Sequence, residues 1–330
     1  MSSLVLTVDD FARDPSKLES LGAGDARLLL NVLPDELAAR ALAELQSTVQ
    51  WSTMQNRGGP VPRLVSMQGA FTADGCEPVY RHPADEQPRM VPFTPICDEL
   101  RRAVEARLGH SFNHALVQWY RSGRDSISEH ADKTLDVQPA SVIVNLSLGA
   151  SRVMILKSKE RSDGTRKVVQ KIDLPHNSVF VLGLATNAQF THQIKADRRD
   201  SKFKRADETR DAGHRISLTF RVIHTFRRPV DGRLFGGGAR FKTLAALDAA
   251  NSPVVDDAQD MLNAFSAENR QSEFDWAAAY GAGFDALNFR VLNAEQQRLR
   301  FQEAQASIQS HVEGDEDEDA NENEDDPDDD

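Results

Sequence analysis

The segment SEHAD places His130 and Asp132 one residue apart. On a strand, positions i and i+2 point the same way, so an imidazole and a carboxylate converge on one point. A histidine from a neighbouring strand would complete a set of two imidazoles and one carboxylate. That set binds Fe(II) and leaves positions open for a co-substrate and oxygen. His192, in FTHQI near the end of a later strand, is the candidate third ligand. His176, His214 and His224 are rivals by type. His176 sits in the turn-like LPHN and His214 at the start of another strand, so both are less well placed. Alone, H-x-D is a weak signal, common as a structural pair.

A second constellation is HRISLTFRVI, residues 214–223. Alternation puts Ile216, Leu218, Phe220 and Val222 on one face and Arg215, Ser217, Thr219 and Arg221 on the other. The apolar face reads as core. A solvated surface explains the polar face equally well, and these ten residues alone leave both readings open.

The elements that must position these groups are legible in outline. LPDELAARALAELQSTVQW (33–51) puts Leu37, Ala41 and Leu45 on one helical face, and TPICDELRRAVEARLG (94–109) reads as a second amphipathic helix closed by Gly109. Residues 52–92, rich in Gly and Pro, read as loops with short strands. A succession of apolar or alternating runs follows: HALVQWY, SVIVNLSLG, RVMILKS, KVVQKIDL, NSVFVLGL, FTHQI and the arginine segment. Helices followed by many strands predict an all-β catalytic core with flanking helices, a sandwich or barrel. KERSDGTRK reads as a polar hairpin tip, and residues 195–213 as a long charged loop. The predicted organisation is an N-terminal extension over 1–60, a catalytic domain over 61–228, a mainly helical appendage over 229–312 and an acidic tail over 313–330.

Composition excludes several classes. The net charge of −12 resides in the tail, which holds thirteen of the 51 acids and no base; the rest balances its 39 Lys and Arg to within one charge. Such a run repels itself and reads as disordered, either a solubiliser or a brake on an anionic partner. Two cysteines suit neither a disulfide framework nor a zinc finger. No apolar run is long enough for a membrane span and no secretory signal opens the chain, so an intracellular protein, nuclear or cytoplasmic, is expected.

Taken together, H-x-D, a distal histidine and R-x-x-x-x-x-R resemble the AlkB family of Fe(II)/2-oxoglutarate dioxygenases, in its nucleic-acid-repair branch. The resemblance runs through PRLVSMQG, VYRHP, VPFTP, FNHALVQWYRSGRDSISEHAD, NLSLGASR and HRISLTFR, about half of the chain. It implies a double-stranded β-helix, or jelly roll, with His130, Asp132 and His192 as iron ligands. It also implies that Arg221 holds the distal carboxylate of 2-oxoglutarate, that Arg215 lies near its metal-binding end, and that Tyr120 touches it. A strand of six residues spans roughly 20 Å, so the two arginines would lean toward opposite ends of one dicarboxylate. Gln118 and Ser217 stand where the family often has Asn, and each keeps a polar contact.

The activity so implied is oxidative: Fe(II), 2-oxoglutarate and O2 hydroxylate a substrate C–H bond, and an N-methylated base then loses formaldehyde. The implied partner is alkylated nucleic acid, single-stranded or with its base flipped out, with Arg63, Phe71 and Tyr80 in the lid region. Repair members carry an acid soon after the iron aspartate. Here Lys133 and Thr134 follow, so Asp136 is the candidate substitute. Lys195, Arg198, Arg199, Lys202, Lys204 and Arg205 form a candidate phosphate-contact set. Two alternatives differ in class: an oxygenase acting on a protein side chain or small molecule, and a binding module without catalysis.

Overall fold

Strand-forming segments between residues 114 and 221 fold almost residue for residue where the alternation puts them. The computed structural model describes residues 4–6, 21–56, 58–159, 167–250 and 252–321. Twelve strands build two facing sheets: β1 (Leu4–Leu6), β2 (Arg27–Leu30), β3 (Leu64–Gly69), β4 (Met90–Pro92), β5 (His114–Tyr120), β6 (Ile127–His130), β7 (Val142–Gly149), β8 (Arg152–Ser158), β9 (Val169–Leu174), β10 (Ser178–Gly183), β11 (Phe190–Ile194) and β12 (Arg215–Arg221). The larger sheet has the order β2-β10-β7-β12-β5-β3-β4, and the smaller one β1-β9-β8-β11-β6. The arrangement is the expected jelly roll with flanking helices. The tip of the β8–β9 hairpin, residues 160–166, lies outside the described residues.

The larger sheet buries both faces for different reasons. On its outer side, Ile216, Leu218 and Phe220 of β12 join Val144, Leu146 and Leu148 of β7 in a core completed by two helices. These are α1 (Asp35–Thr48), contributing Leu37, Ala41 and Leu45, and α2 (Pro95–Leu108), contributing Leu100 and Val104. Gly109 ends α2 at φ 67°, a left-handed cap that glycine adopts without a Cβ clash. On the inner side, Tyr120, Ile143, Phe180 and Leu182 meet Met154, Leu156, Ile172 and Ile194 of the smaller sheet. The polar face of β12 therefore looks into the sandwich, not into solvent.

Beyond β12 the chain adds α4 (Leu244–Ala249), α5 (Ala258–Arg270), α6 (Trp276–Tyr280) and α7 (Ala294–Asn321), with α3 (Leu184–Gln189) lying between β10 and β11. The C-terminal region is built into the core. Ala304 of α7 is fully buried in the cluster under α1 and α2. Arg81 reaches from the lid region to the carbonyls of Gly238, Phe284 and Ala286. The expected break into an unstructured tail at 313 does not occur there: α7 continues to Asn321, because extending a helix costs far less than nucleating one. Residues 322–330 lie outside the described residues.

Candidate active site

His130 and His192 face each other across the β6–β11 pairing, ring centroids 4.3 Å apart. Asp132 is not on the strand, as i, i+2 geometry supposed: β6 ends at His130 and the carboxylate comes from the segment that follows. An amide from α3 holds that segment. The backbone N–H of Asp132 donates to Asn187 Oδ1 (2.9 Å), and Asn187 Nδ2 donates back to the Asp132 carbonyl (2.9 Å). His130 Nε2 lies 3.8 Å from Asp132 Oδ1. His130, Asp132 and His192 are the one cluster of His, Cys, Asp or Glu among the described residues that brings three ligand atoms within 4.8 Å of one another.

The electrostatics suit a cation. His130 Nδ1 sits 2.8 Å from the Ser128 carbonyl, so this nitrogen carries the proton and Nε2 is left as the free donor atom. Burial, reinforced by the neighbouring His192, pushes the His130 imidazole down to about 3. Burial likewise lowers His192. Burial works to raise the Asp132 carboxyl, but Arg221, His192 and His130 outweigh it and hold it well below the usual range. Two neutral imidazoles and an ionised carboxylate form a donor set suited to non-haem Fe(II). The rivals are occupied elsewhere: His176 Nδ1 accepts from Gly149 N, His214 Nδ1 from the Trp119 indole, and His224 Nε2 lies beside the Leu135 carbonyl.

The inner floor of the larger sheet carries the two arginines, in the reverse of the expected order. Arg221 Nη2 is 2.8 Å from Asp132 Oδ2, and its guanidinium lies 4.1 Å from the Tyr80 ring centroid. It therefore stands at the metal end. Arg215, paired across the sheet with Tyr120 and Gly149, stands at the far end. The strand register decides this: Arg221 lies opposite His114, under the Asp132 segment. Arg215 is fully buried and donates to Ser147 Oγ (2.8 Å) and Asn145 Oδ1 (3.2 Å), without a carboxylate partner among the described residues. Its Nε and Nη1, Arg221 Nη1 and Ser217 Oγ are buried with no partner among the described residues. Burial pushes the Arg215 guanidinium down to about 10. Buried donors are normally satisfied, so orphans of this kind fit the oxygens of an absent dicarboxylate.

A cavity of ≈ 790 Å³ contains the triad. Gln118, Tyr120, Arg221, Arg63 and Tyr80 line it. Gln118 is already engaged, its Oε1 accepting from Arg63 Nε at 2.6 Å. The Tyr80 ring is fully committed to Arg221 and to His82, on which it stacks at 5.4 Å, and its hydroxyl accepts from Lys133 N. Two substrate expectations fail. Phe71 is 37% exposed and does not line the cavity. Asp136 is sealed in an ion pair with Arg81, both side chains at 0% exposure, and so has no free oxygen for a base. The charged loop over residues 195–213 is partly neutralised: Arg199 pairs with Asp197 and Glu208, and Arg205 with Asp173 and Asp207.

Sequence reasoning missed several residues of the site. Asn145 lines the floor, and its signal was present: Asn145 and Ser147 share the alternate face of a strand whose other face is Val144, Leu146 and Leu148. His82, within VYRHP, lines the cavity and is held neutral by burial, which lowers it to about 4. Asn187 and the whole face of α5 carried no local signal, since sequence does not state what lies across a tertiary contact.

A family model described as "2OG-Fe(II) oxygenase superfamily" matches residues 25–221. The human DNA oxidative demethylase ALKBH2 is 28% identical over 135 residues, 40% of this chain and 48% of that protein. Rat alpha-ketoglutarate-dependent dioxygenase alkB homolog 3 is 28% identical over 144 residues, 42% of this chain and 45% of that protein. The chain thus spans about half the length of the curated relatives it matches. A solved structure, that of OsALKBH1, shares 19% identity, covering 60% of this chain and 96% of that one at a TM-score of 0.39.

Proposed function

Because this chain belongs to the 2OG-Fe(II) oxygenase superfamily and is AlkB-like, we propose that it demethylates alkylated nucleobases in DNA or RNA by 2-oxoglutarate-dependent oxidation. The observation that carries the reaction is Arg215, a buried cation with no acid partner among the described residues, on the strand that also carries Arg221 beside Asp132. When bound, Fe(II) with 2-oxoglutarate and O2 supplies the oxidising power for hydroxylating a C–H bond. His130, Asp132 and His192 would hold the metal, and Arg215 with Tyr120 the far carboxylate of the co-substrate. Arg221 keeps Asp132 ionised and oriented through its 2.8 Å contact. Once a methyl group on a ring nitrogen is hydroxylated, it leaves as formaldehyde and the nitrogen regains its lone pair or proton, so no side-chain nucleophile is required.

The name of the human relative, a DNA oxidative demethylase, supports a nucleic-acid substrate. We read the compartment as nuclear or cytoplasmic, and the acidic tail as a competitor of phosphate for cationic groups. No helix among the described residues is long and apolar enough to cross a membrane. A second reading, hydroxylation of a protein side chain or small molecule, is favoured by one observation: Asp136 is unavailable to read a base. Mass spectrometry of methylated single-stranded oligonucleotides with Fe(II), ascorbate and 2-oxoglutarate separates the two. Loss of the methyl groups with release of formaldehyde is expected. Turnover of 2-oxoglutarate with the oligonucleotides intact would move the assignment to the second reading.

A further inference from the structure

The side of α5 that borders the cavity is mostly polar, with Leu262 and Phe265 as its apolar members. Met261, Phe265 and Glu268 form its buried stripe. Gln259, Asn263, Ser266 and Arg270 line the cavity that contains the metal ligands, and all four are exposed. Steps of four, three and four residues set them in one row along the helix, about 16 Å long at 1.5 Å per residue. This row is fixed to the metal segment itself. Asn269 Oδ1 accepts from Ala131 N (2.9 Å), between two ligands, and from Lys133 Nζ (3.1 Å). The Glu268 carboxylate accepts from Thr134 N (3.0 Å) and from the Tyr280 hydroxyl (2.7 Å).

Charge singles out Arg270. Of the other cations lining the cavity, Arg221 pairs with Asp132, Arg63 donates to Gln118 and the Ser126 carbonyl, and Lys133 donates to the Ala131 carbonyl and Asn269. Arg270 has no ion pair among the described residues and stands at the cavity mouth, at the end of α5. α5 also lies outside the matched residues 25–221. With Asp136 sealed, a base in the cavity must find its polar partners elsewhere, and α5 offers amides on the open side.

We propose that α5 is a substrate-recognition wall, in which Asn263 hydrogen-bonds the polar edge of the base and Arg270 pairs with an adjacent backbone phosphate. This rests on the nucleic-acid reading above. Asn263 Oδ1 accepts from Gln259 Nε2 at 3.1 Å, which leaves the two Nδ2 hydrogens and a second oxygen lone pair to meet the edge of a nucleobase. A guanidinium forks onto phosphate oxygens. The wall thus divides its labour: one residue selects, the other anchors the strand.

The test compares a methylated single-stranded oligonucleotide with the corresponding methylated nucleoside, using the full chain loaded with Fe(II) and 2-oxoglutarate. Arg270→Ala should weaken oligonucleotide binding about ten-fold at low salt and flatten the slope of log Kd against log salt by about 0.7. It should also lower the ratio of oligonucleotide to nucleoside turnover. Asn263→Ala should lower kcat/KM about two- to ten-fold, the scale of one hydrogen bond, on the nucleoside as well. Arg102→Ala, at an exposed residue of α2 that does not line the cavity, should move neither readout. An Arg270→Ala slope and ratio equal to the parent's, or an unchanged nucleoside kcat/KM in Asn263→Ala, overturns the wall. If the parent itself neither binds nor demethylates the oligonucleotide, the nucleic-acid reading falls and the wall with it. The parent's behaviour alone tells the two failures apart.

Discussion

Arg215 is the side chain on which co-substrate binding turns, because a buried guanidinium with no acid partner among the described residues carries a desolvation cost that an anion offsets. Arg215→Lys keeps the charge and loses the planar fork. It should weaken 2-oxoglutarate binding by about 1.5–3 kcal/mol, the scale of a charged hydrogen bond, as read by titration calorimetry. Affinity equal to the parent's would make Arg215 a structural cation satisfied by Ser147 and Asn145 alone. The ligand assignment is tested at the same scale. His192→Ala should abolish 2-oxoglutarate turnover, whereas His176→Ala, at a residue engaged with Gly149 N, should retain most of it. The opposite pattern would remove His192 from the metal site.

At the scale of elements, the site depends on loops that other elements hold in place. Asp132 leaves its strand before it reaches the metal position, and Asn187 of α3 grips its backbone from both sides. Partners of this kind typically govern metal affinity by about 10–100-fold. Asn187→Ala should therefore weaken Fe(II) or Mn(II) binding by that factor, and an affinity within two-fold of the parent would show that the segment holds itself. The lid region and the C-terminal region meet at Arg81, which contacts Asp136 at 2.7 Å and three carbonyls beyond residue 237. Arg81→Ala strands a buried carboxylate. The expected loss is about 3–5 kcal/mol of stability, measured from the denaturant midpoint, and a loss below about 1 kcal/mol would contradict this account.

For the whole molecule, the C-terminal region is part of the folded unit, since Ala304 fills the main core and α5 closes the cavity. The tail beyond it is a charge element. If its carboxylates compete with phosphate, a chain ending at Val312 should bind single-stranded oligonucleotides more tightly at low salt. The gain should fade as the Debye length falls from about 10 Å at 0.1 M to about 3 Å at 1 M. Affinity that is indifferent to truncation at every salt concentration would leave the tail a solubiliser.

The strands and the two leading helices were legible in the chain because they rest on local rules, whereas the grouping of His130, Asp132 and His192 came from resemblance to a family and not from local geometry. Period-two alternation, helical spacing and residue type act over a few neighbouring residues, and the Asn145/Ser147 face obeys the same rules. Which arginine stands by the metal was not legible, because β12 is locally symmetrical: an arginine at each end, with hydroxyls between. Only its pairing with β5 and β7, which sets Arg221 under Asp132, breaks that symmetry. Asp136 likewise had the right type and spacing to read a base. Tertiary packing gave it instead to Arg81, since a carboxylate and a guanidinium buried together must satisfy each other before either serves a ligand. The α5 wall was least legible of all. Its row of amides is an ordinary polar helix face in sequence, and only the fold, by packing its opposite stripe against the metal segment, turns that face toward the site.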